Sequence, residues 1–280
     1  MDAIDRQMKK KLNFIPRIKK EILKGFSRIK WISITNFLFW YRFLFFKKKI
    51  VDNKIAILIP SKQRINKLRR FLESLTVNTY KKERIYVEIL IDKNEAQKEL
   101  YQECIKNFKK ELNINLYLRD EKTHNQRNNF LAQKINADLY FPLNDDAVIT
   151  MKKWDLYLDE VSSLIPLNKP YSIWTKASTK YPYFHSEFPI VNNKWYKTLG
   201  YIGNYHLYGF IDTWICDLGK ISKKFIIAKK KFIDHLNVEI KGSIDKKDKT
   251  YYDQKISEKN DLEIWIKTKE IRIKDSKKLT

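Results

Sequence analysis

Ala137-Asp138-Leu139-Tyr140-Phe141-Pro142-Leu143-Asn144-Asp145-Asp146 is the stretch on which the reading of this chain turns. Leu139 to Leu143 is an apolar run of strand length, and it stops abruptly at polar residues. Two neighbouring carboxylates at the end of a buried strand repel each other and lose hydration, so a compensating charge is expected beside them. In an open α/β sheet, ligands settle outside the carboxyl ends of the strands. A divalent cation carrying a diphosphate would supply the missing charge at that place.

Outward from this tip, strands and helices alternate. Ile55-Ala56-Ile57-Leu58-Ile59 is a continuous apolar run, as a strand buried on both faces requires. Leu68, Phe71, Leu72 and Leu75 follow at helical steps, and Val87-Glu88-Ile89-Leu90-Ile91 is a second strand ending at Asp92. A helix over about 95–110, a strand at Ile114-Asn115-Leu116-Tyr117-Leu118 and a helix over 126–136 lead to the strand 139–143. This order predicts an α/β fold with a mostly parallel sheet, right-handed crossovers and flanking helices. Beyond Met151 the chain is more aromatic and less regular, with a loop over 175–189, a helix or turn at 193–199 and a strand over 223–232. Near the C-terminus an amphipathic helix is expected, with Ile256, Leu262, Ile264 and Ile266 as its apolar positions. The organisation read from these shifts is a basic segment 1–53, two halves at 54–150 and 151–240, and a helical tail 241–280.

The net charge is +24 over 280 residues, and residues 1–54 hold 15 Lys/Arg against four Asp/Glu, a net +11. Nearly half of the excess therefore sits in a fifth of the chain, so the charge favours a local anionic surface over nucleic acid as the partner. Phe14, Ile15, Ile18, Ile22, Leu23, Phe26 and Ile29 recur at roughly helical spacing among lysines and arginines. The aromatic run Trp31 to Phe46, interrupted by Arg42, is shorter than the ~20 residues that span a bilayer. Such a segment suits a helix lying in the headgroup region, or one packed on the following domain. No small-residue cleavage site follows, which argues against a secretory signal. The two cysteines, Cys104 and Cys216, match no metal or redox spacing, and a reduced compartment is expected. The expected location is the cytoplasm, peripheral on the inner face of the membrane.

The order strand–Pro60–basic loop, strand–Asp92, helix with Arg127, strand–Asn144-Asp145-Asp146 resembles the nucleotide-sugar half of GT-A-type glycosyltransferases, nearest to the inverting family 2, over roughly 54–240. The resemblance implies a metal-dependent, inverting enzyme that moves a sugar from a nucleotide-diphosphate sugar to a glycan or lipid-linked acceptor. It implies that Pro60, Ser61 and Arg64 border the nucleotide, that Asp92 reads the base and that Arg127 approaches the phosphates. Asn144 would bond the ribose, Asp145 would support nucleotide and ion, and Asp146 would bind Mn2+ or Mg2+, with His235 completing the metal shell. Asp212 would be the general base. The chain departs from the family pattern at Lys93-Asn94-Glu95 after Asp92, at Asn144 in place of an acid, and at Ile211 before Asp212. Simpler roles stand beside these: Asp212 as a helix cap, His235 as a structural histidine, and Trp174, Trp195 and Trp214 as core residues instead of sugar-stacking faces. His185, Glu187 and Trp195 fall in the expected acceptor region. Rival readings are a nucleic-acid- or anionic-membrane-binding protein on an inactive scaffold, and a nucleotidyltransferase. The latter usually needs a glycine-rich loop after the first strand, and Ser61-Lys62-Gln63-Arg64 has no glycine.

Overall fold

Ile55–Pro60 (β1) is buried along its whole length in the computed structural model, because neighbours flank it on both edges and both faces. The structure describes residues 51–280 except 167, 178–184, 237–251, 253–255 and 257. The chain divides into two units, residues 1–49 and 50–280, and the first lies outside the described residues, as do the expectations placed on it. Among the described residues no helix is long and apolar enough to cross a membrane.

The other strands are Ile85–Ile91 (β2), Asn113–Leu118 (β3), Leu139–Pro142 (β4), Ala147–Ile149 (β5), Ser172–Trp174 (β6), Ile190–Asn192 (β7), Phe225–Ile227 (β8) and Ile233–His235 (β9). Seven of them form one sheet in the order β3-β2-β1-β4-β7-β6-β8, and β5 pairs with β9 in a separate ribbon. β1, β2, β3 and β4 run parallel, whereas β7 is antiparallel to both β4 and β6. Residues before and after position 150 therefore share one sheet.

The helices are Ile65–Asn78 (α1), Lys98–Phe108 (α2), His124–Gln133 (α3), Trp154–Ser162 (α4), Asn193–Leu199 (α5), Ile211–Ser222 (α6), Asp261–Lys267 (α7) and Lys269–Lys278 (α8). Alternation along β1 sends Ile55, Ile57 and Ile59 to one core, with Leu68, Phe71, Phe141, Trp154 and Phe232. Ala56 and Leu58 face a second core with Leu131, Trp195, Trp214 and Leu218. Each fully buried large side chain contributes about 1.5–3 kcal/mol, and both layers depend on β1 keeping its register. At the amino ends of β1 and β2, buried Arg84 is paired with Asp52, Asp155 and Asp159, and Asn53 donates to Asp159.

Several sequence expectations shift. The strand expected over 223–232 is only Phe225–Ile227, and a second short strand in the other sheet, β9, begins at Ile233. Ala228 makes the last contact to Trp174 O, Lys230 N–H turns onto the Tyr157 hydroxyl, and Phe232 dives into an aromatic cluster with Phe141, Trp154 and Tyr157. The third helix starts at His124 instead of Gln126, because Thr123 caps it by accepting the Gln126 N–H at 3.0 Å. In the tail, Ile256, Leu262 and Ile266 are exposed, and the packed residues are Ile264 and Trp265. Polar anchors at Asp261 and Arg272 set that face, so the apolar pattern alone misjudged it.

Candidate active site

The carboxyl ends of β1 and β4 bring two loops together. From the first, the Ser61 hydroxyl donates to Asp145 Oδ2 at 2.6 Å. Its oxygen lies 2.6 Å from the buried Tyr101 hydroxyl, which also accepts the Arg64 N–H at 3.1 Å. Tyr101, Ser61 and Asp145 thus form a relay in which each hydroxyl donates to the next oxygen. Gln63, in the left-handed region at φ 54°, bends the loop, and the Arg64 guanidinium lies 3.6 Å from Asp145. Burial pushes the Asp145 carboxyl up to about 6, Arg64 opposes the rise and Asp146 adds to it. Pro60 is the buried last residue of β1, and Asn144 is half-buried, its carbonyl closing the turn to Ala147 N–H.

Asp146 faces the ribbon. Its carbonyl accepts the Leu236 N–H, and the pairing of Ala147 with His235 sets the imidazole beside its carboxylate. His235 Nε2 is 3.1 Å from Asp146 Oδ1, and Nδ1 is 3.2 Å from Glu187 Oε2. Burial opposes a charge on His235, but the two carboxylates outweigh it and hold the imidazole near 10. Burial would raise Asp146, and His235 instead holds it below the usual carboxylate range. Although near, Asp146 Oδ1 and His235 Nε2 are not aligned as a hydrogen bond, and neither buried atom has a hydrogen-bond partner. A bound ion would displace the Nε2 proton of His235, and the freed Nε2 and Asp146 Oδ1, ~3 Å apart, would then match adjacent corners of an octahedron with ~2.1 Å bonds, as Mg2+ prefers. Among the described residues no group of three or more His, Cys, Asp or Glu is placed to hold a metal unaided. The pair fits an ion that takes its remaining ligands from substrate oxygens or water.

Asp92, just after β2, is paired with Arg127 and lies 3.4 Å from Lys62 Nζ. Arg127 projects from the first turn of α3, which His124 opens. Burial and the fields of Arg127 and Arg64 push the His124 imidazole down to about 4, against the pull of Asp212 and Asp146. Its electrostatic neighbours thus include both cations and both acids from the two halves of the chain. The sequence reading missed His124. Its place three residues before Arg127, on the same helix face, was the available signal.

Helix α3 also holds the segment that leads to Asp212. Asn129 accepts the Ile202 and Gly203 N–H groups and donates to Gly203 O at 2.7 Å, and Asn125 donates to Asn204 O at 2.9 Å. The backbone approach is close: a Cβ on Gly203 would lie 2.9 Å from Asn125 Cγ and from Ile211 Cγ1. Phe210 then turns the chain in the left-handed region, and Asp212 is the second residue of α6. Its carboxylate accepts the adjacent Thr213 N–H and lies 2.9 Å from His185 Nε2, with 29% of the side chain exposed. It does not cap the helix as an N-cap residue does; Phe210 holds that position with no side-chain bond. Burial would lower the His185 imidazole, but Asp212 and Cys216 raise it to about 10.

The structure thus joins Ser61, Arg64 and Asp145, joins Asp146 and His235, pairs Asp92 with Arg127, and sets Asp212 against His185. The tryptophans are different. Trp174, Trp195 and Trp214 are all buried, Trp174 is stacked on Phe225, and none offers a face to a sugar.

No family model and no curated protein matches the chain. Solved structures do. PcManGT, a mannosyltransferase from Pyrobaculum calidifontis solved with GDP-Man and Mn2+, matches with a TM-score of 0.55 at 10% identity, over 82% of this chain and 69% of that one. The TarS 1-349 fragment from S. aureus, solved with UDP-GlcNAc, matches with a TM-score of 0.52 at 12% identity, over 72% and 64%. The chain has a GT-A-like fold. At these identities the likeness is one of fold, and the chain spans 60% of TarS 1-349 and 36% of the longer TarS chain in two further matches. In the GT-A-like frame, the acidic tip after β4 lies at the carboxyl edge of the parallel strands, where such sheets receive ligands.

Proposed function

We propose that this chain is a glycosyltransferase, moving a sugar from a nucleotide-diphosphate sugar to a hydroxyl of a glycan or lipid-linked acceptor. The observation that carries the reading is the buried, unaligned pair Asp146 Oδ1 and His235 Nε2, beside a second carboxylate fixed by Ser61 and Arg64. Solved neighbours of the same fold hold GDP-Man with Mn2+ and UDP-GlcNAc, which supports this donor class. Asp146 and His235 would hold Mn2+ or Mg2+. When bound, that ion offsets the charge that grows on the diphosphate leaving group.

The protein's own groups do the rest. Arg64 and Arg127 would draw phosphate oxygens in, and Asp92 and Asn144 would bind base and ribose. Residues 54–150 take the donor and 151–240 the acceptor. Asp212 accepts the proton of the acceptor hydroxyl as that oxygen attacks the anomeric carbon from the face opposite the diphosphate, so the configuration inverts. Its half-open carboxylate suits this role, and His185 Nε2, 2.9 Å away, orients it. The basic residues 1–53 would hold the enzyme on the inner face of the membrane, near a lipid-linked acceptor.

A thermal-shift plate of nucleoside diphosphates and their sugars, with and without Mn2+, tests the proposal. A ligand that binds the native state raises the melting temperature by mass action. The expected result is a shift that needs both nucleotide and Mn2+ and is absent in Asp146→Ala. A second reading, a polyanion-binding protein on an inactive scaffold, draws on Arg64 and His235, which already neutralise the acidic tip with the chain's own charge. Metal-independent shifts with any polyanion, unchanged in Asp146→Ala, would favour it and overturn the enzyme.

A further inference from the structure

Asp261 opens α7 and is almost completely buried, with 1% exposure. Its Oδ1 accepts the Tyr208 N–H at 2.7 Å and its Oδ2 accepts the Gly209 N–H at 2.6 Å. No cation among the described residues pairs with it. A buried carboxylate without a counter-charge is costly, and an apolar side chain would serve packing better. What it satisfies is two successive backbone amides, by charge-assisted hydrogen bonds.

Those amides lie directly before the turn that launches α6. Phe210 adopts φ 54° without being glycine, a conformation that persists only where its surroundings impose it. Asp212 follows two residues later. The same tail grips α6 again further along, where Arg272 donates to Asp217 Oδ2 at 2.6 Å while its guanidinium lies 3.9 Å from the Trp265 ring and 5.6 Å from Trp214. Tyr201 reaches back to Asp275. The tail therefore braces the Asp212 segment on one side, and Asn125 and Asn129 of α3 brace it on the other.

We propose that Asp261 is a positioning residue for Asp212, its carboxylate clamping the Tyr208–Gly209 backbone so that the following turn aims the base at the acceptor. This rests on the glycosyltransferase reading for the role of Asp212, but the clamp itself can be judged without it.

The test uses full-length Asp261→Ala and Asp261→Asn, with Asp159→Asn in the Arg84 cluster at the opposite end of the strands as a stability control. Nucleotide release from UDP-GlcNAc and GDP-Man is followed with Mn2+, and the His185 imidazole is titrated by NMR. The expected result is a kcat lower by about tenfold to a hundredfold, as for a misplaced catalytic group, with the donor KM within about twofold because the donor half is untouched. His185, held near 10 by its partners, should titrate lower as Asp212 loosens, while the control keeps both kcat and titration. If Asp261→Ala does not fold, Asp261→Asn, which keeps an acceptor oxygen for one amide, is read in its place. Wild-type kcat with an unmoved His185 overturns the proposal, as does an equal loss in the control. If wild type turns over neither donor, that failure falls on the enzymatic reading, and the His185 titration alone decides the clamp.

Discussion

Tyr101 shows how one hydroxyl can order a site from behind. It links the Ser61 side chain, and so Asp145, to the backbone of Arg64. Tyr101→Phe removes that link without opening a cavity, and leaves the Arg64 amide with one acceptor fewer. The expected loss is about 1–2 kcal/mol of stability, measured by urea unfolding, with weaker nucleotide binding in the thermal-shift plate. His185 yields a pH prediction. Its folded value is raised to about 10 from an ordinary 6.5, so the His185–Asp212 pair stabilises the protein fully below about pH 6.5. That stabilisation is lost as the pH climbs through about 10, where the imidazole gives up its proton. The melting-temperature gap between wild type and His185→Gln should therefore be widest near pH 6 and close towards pH 10; a gap that widened with pH would contradict the pairing. At this scale Asp145, Asp146, His235 and Asp212 were legible because each follows an apolar run or a glycine turn in chain order. Tyr101 was not, since its partners Ser61 and Arg64 lie about forty positions away and no local pattern announces them, and His124 was signalled only by its place three residues before Arg127.

Elements carry the next set of constraints. Helix α3 meets the Gly203 loop so closely that a methyl group does not fit: Asn125 and Ile211 would each stand 2.9 Å from it. Asn125 is tied to Asn204 O and Ile211 begins α6, so neither side yields freely. Gly203→Ala should cost about 1–3 kcal/mol by overpacking and should slow transfer more than it weakens donor binding; circular dichroism melts and steady-state kinetics check the two parts. The main strands were plain in the sequence, because continuous apolar runs such as Ile55–Ile59 leave little choice but a strand buried on both faces. β5 and β9 were not, because three-residue strands have no period to detect and form only by finding each other. The start of α3 was available: Thr123 followed three residues later by Gln126 is a capping pattern, and the Gln126 side chain accepts the Lys122 N–H.

For the whole molecule, charge distribution matters more than total charge. Residues 1–54 carry 15 of the 57 basic side chains and four of the 33 acids. Deleting residues 1–50, which spares Asp52 and Asn53 of the Arg84 cluster, should sharply reduce co-sedimentation with anionic vesicles at low salt. Undiminished vesicle binding by the shortened chain would move the contact elsewhere. Polarity along the whole sequence was enough to foresee an α/β sheet, but not that β7 would run antiparallel between β4 and β6 and merge the two halves into one sheet. That merger depends on which edges meet, a choice made by tertiary packing.

The β5–β9 ribbon has a further consequence, for the timing of synthesis. Asp146 and His235 become neighbours only through a ladder joining segments almost ninety positions apart. A ribosome emitting this polypeptide delivers the acid long before the imidazole, and Asp261, which holds the Gly209 backbone, emerges later still. Until His235 has been made, a nascent chain therefore lacks the partner that faces Asp146, and until Asp261 has been made it lacks the hold on the Gly209 backbone.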